Sequence, residues 1–210
     1  MRGYNADRES GEFTIFHFKQ FLRTVASCPE VETVNIIAHS RGTDVALTSL
    51  RELHLLLQGQ GKDTAEALKL RQVVVAAPDI DFEVFQQRFG QERVFNATEY
   101  FTLYLSETDR ALGLATWLFD SVKRVGKVDE SDLTAGQQEA LMAVSTMSVV
   151  QDRMKRNDLL GHSYFIMDPA INSDLILLLR DGLRPGAENG RPLKRDGGGF
   201  WILSDPDYPN

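Results

Sequence analysis

The run Val34-Asn35-Ile36-Ile37-Ala38-His39-Ser40-Arg41-Gly42-Thr43-Asp44-Val45-Ala46-Leu47 constrains this chain more than any other stretch. A short β-branched segment ends in a small-x-Ser-x-Gly turn, and a helical pattern starts at once. Strand, sharp turn and helix with a serine at the apex is the local form of a nucleophile elbow. The serine backbone of such a turn is strained, so the spacing predicts small residues two before and two after it. Ala38 and Gly42 stand there, alanine in place of the usual glycine. The turn predicts an exposed Ser40 hydroxyl at the carboxyl edge of a sheet, with the Arg41 backbone N–H facing an oxyanion hole. The competing reading is a plain turn serine that caps the following helix.

The rest of the chain reads as alternating helices and strands. Helices are expected over 4–27, 42–58, 64–70 and 82–89. Strands are expected over 31–37, 72–77 and 100–105, with a weaker one over 147–150. In the opening helix Phe13, Phe16, Phe21 and Val25 recur at helical spacing. The apolar stretch 174–180 predicts a last helix, with Asn172 or Ser173 as its N-cap and Gly182 after its end. From Pro185 the chain is rich in Gly, Pro and charge, which predicts a loop-rich tail with one short strand at 200–203. The domain is therefore expected over 4–182 and the tail over 183–210. Alternation of this kind indicates an α/β class with a mostly parallel sheet.

Composition narrows the partners. The chain has 210 residues, enough for one sizeable core, and a formal net charge of −7. That charge argues against nucleic acid, which needs a basic face. No apolar run reaches membrane-spanning length, and the polar start has no signal-peptide core. Cys28 is the single cysteine, which excludes an intrachain disulfide. No metal-ligand spacing and no glycine-rich phosphate loop stands out, so neither metal nor organic cofactor is expected.

A serine nucleophile needs a base, and the base needs an orienting carboxylate. Of the four histidines, His17 lies in the opening helix, His39 directly precedes the serine and His54 lies far along the elbow helix. His162 follows the last candidate strand and precedes the final helix, where a base belongs. For the carboxylate, Asp109 and Asp79 both follow strands, at the sheet edge where active-site loops collect.

Four segments together resemble the α/β-hydrolase superfamily, and more narrowly a bacterial branch of esterase- or lipase-like serine hydrolases. They are Ile37-Ala38-His39-Ser40-Arg41-Gly42, Ala76-Ala77-Pro78-Asp79-Ile80-Asp81, Leu103-Tyr104-Leu105-Ser106 with Asp109-Arg110-Ala111-Leu112, and Gly161-His162-Ser163-Tyr164-Phe165. The stretch Tyr4 to Ser10 resembles the helix before the elbow in that branch. The resemblance implies a three-layer α/β/α fold and hydrolysis of carboxylic esters through an acyl-enzyme. It implies the chain order Ser, acid, His, which favours Asp109 as the acid and leaves Asp79 as the alternative. It also implies about three strands after the elbow, which 72–77, 100–105 and 147–150 supply.

The superfamily places four further strands before the elbow, and only a helix precedes it here. The fold expected is therefore a partial α/β-hydrolase fold, truncated at its N-terminal side. The lost strands would carry the second oxyanion-hole donor and any export signal, so cytoplasmic location is the default expectation. They would also leave the elbow strand as an open edge, inviting self-association or a second chain. The alternative to an ester hydrolase with a small-molecule substrate is thus an impaired hydrolase-like module that needs a partner to complete its sheet.

Overall fold

The computed structural model describes residues 2–78, 84, 87, 92–106, 146–153, 165, 168–195 and 200–204. Helix α1 (Arg2–Ser27) leads into β1 (Val34–His39), α2 (Gly42–Gly59), α3 (Thr64–Leu68) and β2 (Leu70–Ala76). Strands β3 (Tyr100–Ser106) and β4 (Met147–Asp152) follow, then α4 (Pro169–Leu179), β5 (Lys194–Arg195) and β6 (Trp201–Leu203). The strands form one six-stranded sheet in the order β1-β2-β3-β4-β6-β5. Strand β3 pairs parallel with β4, β4 pairs parallel with β6, and only the short β5 runs antiparallel to its neighbour among the pairings described. This is the α/β class read from the sequence, a partial three-layer α/β/α arrangement with a mostly parallel sheet. The expected helix at 82–89 falls mainly outside the described residues.

Two compact units divide the chain. The first is Met1–Val73 with Pro78–Tyr100, and the second is Val74–Ala77 with Phe101–Asn210. In the first unit, α1 and α2 pack through aliphatic side chains: Ile15, Leu22 and Ala26 on one helix, Leu47, Leu50 and Leu53 on the other, all buried. The buried hydroxyl of Ser49 donates to the Ile15 carbonyl at 3.4 Å. The stripe that signals helix α1 in the sequence is not the one it buries. Phe13, Phe16 and Phe21 are 69%, 54% and 60% exposed, and the His17 ring lies against Phe13 and Phe16. Both faces of the helix are apolar, and the aliphatic one takes the core.

Strand β1 starts at Val34, later than the sequence suggests, because residues 31–33 belong to a loop tied down by Lys69. That lysine caps α3 in the left-handed region (φ 54°). Its ammonium donates to the carbonyls of Cys28 (2.9 Å) and Val31 (2.6 Å), and its own carbonyl accepts from the Val34 amide (2.7 Å). Along β1, Ile36 and Ala38 are buried while Asn35 and Ile37 are exposed. It is the terminal strand of the sheet order. Strand β4 is buried at every position, as a parallel strand covered on both faces should be.

The second unit is built on an apolar cluster that includes Val74, Val150, Ile171, Leu178, Leu193 and Leu203. The last helix begins at Pro169, earlier than expected, and its N-cap is Asp168 rather than Asn172 or Ser173. The Asp168 carboxylate accepts from the amides of Ala170 (2.8 Å) and Ile171 (3.2 Å). Proline at the first helical position needs no amide partner, which makes Asp-Pro a natural start. The predicted strand near 200–203 is β6. Tail residues also reach the core: Arg191 is fully buried, and its guanidinium grips Asp174 through two 2.7 Å contacts, Nε to Oδ1 and Nη2 to Oδ2. The Tyr104 hydroxyl donates to Asp174 Oδ2 and accepts from Arg191 at 3.0 Å.

Candidate active site

Ser40 sits between the end of β1 and the start of α2 with a φ of 53°. That is the left-handed region, uncommon for a residue with a Cβ. Such a backbone costs about 1–3 kcal/mol and persists only where its surroundings over-determine it. The surroundings are local. The Thr43 amide donates to the Ser40 carbonyl at 3.0 Å, and the Thr43 hydroxyl donates to the same oxygen at 2.5 Å. Thr43 is itself fully buried. One residue on, the Asp44 amide donates to the Arg41 carbonyl at 3.2 Å, which starts the helix. The turn is thus held from the α2 side by backbone groups and one buried hydroxyl, and the Ser40 side chain is left half-exposed.

The N-cap of α2 is Arg41 (φ −60°, ψ −24°), and no side chain caps it. Ser40 stands before the cap position, so the plain capping role is not the one it occupies. Arg41 is exposed, and its amide belongs to the N-terminal end of an 18-residue helix. That end gathers unsatisfied N–H groups and the positive pole of the helix dipole. An oxygen that gains negative charge beside Ser40 would find that field favourable.

The steric argument for glycine at position 42 does not hold here. Among the described residues a Cβ placed on Gly42 would meet nothing within 4 Å, and its φ is not positive. The small residue that the turn encloses is Ala38, which is buried.

Of the other residues singled out in the sequence, Asp79, Asp109 and His162 lie outside the described residues. The strand ends that lead to them are described. Strand β2 closes in a second left-handed residue, Ala77 (φ 42°), whose amide donates to the Tyr104 carbonyl at 3.2 Å; Pro78 and Asp79 come next. Strand β3 ends at Ser106 and β4 at Asp152, and the parallel register pairs those two residues. The strand ends from which the chain continues toward Asp109 and His162 are therefore neighbours at one edge of the sheet.

Sequence reasoning missed the Tyr104–Asp174–Arg191 network. All three side chains are buried and hydrogen-bonded to one another, which makes the network architectural. Another buried polar group is His54, whose Nδ1 lies 2.9 Å from the Thr64 hydroxyl. Burial pulls its pKa below the usual histidine value, and the Asp63 carboxylate opposes that only in part. Among the described residues no group of His, Cys, Asp and Glu is arranged to hold a metal ion, and no helix is long and apolar enough to cross a membrane.

A family model described as "Alpha/beta hydrolase of unknown function (DUF900)" matches residues 1–180. No curated protein and no solved structure matches the chain.

Proposed function

The chain belongs to this family of α/β hydrolases, and on that premise we propose that it is a serine hydrolase cleaving carboxylic esters through an acyl-enzyme. Ser40 Oγ attacks the ester carbonyl carbon while His162 takes its proton. The tetrahedral oxyanion is met by the Arg41 N–H. Collapse breaks the bond to the alcohol oxygen, which leaves with the proton from His162. Water, deprotonated by the same imidazole, then adds to the acyl carbon and releases the carboxylate and Ser40. Asp109 fixes the imidazole tautomer, with Asp79 as the alternative acid. What supports this reading is the left-handed Ser40 between β1 and α2, a strained, half-exposed hydroxyl at a helix N-terminus.

The test is labelling with a fluorophosphonate, which phosphonylates only an activated serine. Mass spectrometry should place the adduct on Ser40, and Ser40→Ala should remove it. A folded chain that takes no label at Ser40 would overturn the reading.

A second reading keeps the same elbow but assigns the chain a partner. Its support is β1, terminal in the sheet order, with Ile37 48% exposed. Here a second chain pairs with β1 and completes the site, and labelling of Ser40 should then rise with protein concentration.

A further inference from the structure

The first unit holds a cleft of about 310 Å³ that the hydrolase reading does not use. It lies among the C-terminal ends of α1 and α2 and helix α3. Its apolar wall includes Leu53, Leu56, Leu57 and Leu68, and its cations are Arg23 and Lys62. Among the described residues no aromatic ring and no carboxylate lines it. Its volume falls at the lower end of small-ligand pockets. The elbow is at the other end of α2, roughly 20 Å away at 1.5 Å of helix rise per residue.

The charges are the informative part. A cation beside a helix C-terminus can face the last carbonyls, as Lys69 does with Cys28 just past the end of α1. The side chains of Arg23 and Lys62 make no hydrogen bond and no ion pair among the described residues, in a chain whose net charge is −7. Two cations with no partner among the described residues border an aliphatic wall, and Leu56 is left 49% exposed on it. A ligand that satisfies both features carries an anionic head and an aliphatic tail. The absence of rings removes the stacking surface that a nucleobase or aryl group would use. A guanidinium favours a planar, two-oxygen acceptor.

We propose that this cleft binds a short straight-chain carboxylate, its acyl chain on the leucine wall and its carboxylate between Arg23 and Lys62. The assignment is independent of hydrolysis at Ser40, because binding is read directly.

Sodium octanoate is titrated into the full chain and followed by calorimetry and by amide chemical shifts. Saturable binding is expected, with shifts concentrated at residues 23–27, 53–62 and 67–68. The double variant Arg23→Gln/Lys62→Gln changes two exposed side chains, so the fold should persist by circular dichroism. Its affinity should fall about tenfold or more. Octyltrimethylammonium, with the same tail and opposite charge, should leave those amides unmoved. The proposal is overturned by non-saturable binding, by shifts centred on Ser40 instead, by a double variant that binds octanoate as well as the parent, or by equal binding of the cation.

Discussion

The β1–α2 turn and the core of the second unit both hold polar groups at a local cost, and they meet that cost in opposite ways. At the turn the cost lies in the backbone: Ser40 is held at φ 53° by Thr43, and its side chain is half-exposed. In the core it lies in desolvation, several kcal/mol for each buried ion. There the two-pronged Arg191–Asp174 contact and the Tyr104 hydroxyl return it through charge-assisted hydrogen bonds. Neither Asp174 nor Arg191 can meet a substrate, since both are fully buried. A strained and accessible group suits chemistry, while an inaccessible, ion-paired one suits architecture.

The largest effect that could break this contrast is on activity. Under the proposed mechanism Ser40→Ala should lower ester hydrolysis by a factor on the order of 10⁶, read with a p-nitrophenyl ester. Its unfolding free energy should stay within about 0.5 kcal/mol of the parent or rise slightly. Asp174→Ala should do the reverse. Removing one partner strands the buried Arg191 guanidinium and should cost about 3–5 kcal/mol in urea unfolding. The fraction that remains folded should still label at Ser40. If Ser40→Ala were the strongly destabilised variant and Asp174→Ala the silent one, the two roles would have to be exchanged.

The two regions also differ in how readily the sequence shows them. The turn is local: a β-branched run, a serine and a helix within fourteen residues carry all its information. The Tyr104–Asp174–Arg191 network joins residues 70, 17 and 87 positions apart, and no local pattern reports such closure. Asp168 was legible in principle, since an acid before proline is a helix start, but the apolar run from Asp174 drew the boundary downstream. Helix α1 shows the limit of periodicity. Its Phe13, Phe16 and Phe21 mark a helix correctly, yet which of two apolar faces is buried depends on what α2 presents.

His54 sharpens the comparison, because it is buried and only half satisfied. Its Nδ1 meets Thr64, and its Nε2 has no partner among the described residues. Thr64→Val should cost about 1–3 kcal/mol, the usual penalty for stranding a buried polar atom. A pH dependence follows as well. Burial lowers the His54 pKa, so the folded state binds the proton less readily than the unfolded chain. The unfolded state then carries more protons, and stability rises with pH. The contribution is fully present above the ordinary histidine pKa of about 6.5 and is lost as pH falls below it. Urea midpoints between about pH 8 and 5.5 should show this slope, and His54→Leu should flatten it. An unchanged slope in that variant would assign the acid sensitivity to other groups.

The smallest effect tests the strain itself. Glycine adopts a left-handed backbone without the Cβ penalty, so Ser40→Gly should keep the turn and relieve its cost. Glycine also gains freedom in the unfolded chain, which takes back part of the benefit. The net expectation is a stabilisation of about 0.5–1 kcal/mol, measured as a higher urea midpoint with an unchanged slope of unfolding against denaturant. Under the proposed mechanism the same variant lacks the nucleophile and should be inactive. A protein made more stable by losing the Ser40 side chain would support a turn kept for chemistry at the expense of stability. A loss of stability would mean instead that the Ser40 hydroxyl helps hold the turn, and the serine would then be structural in the same sense as Asp174.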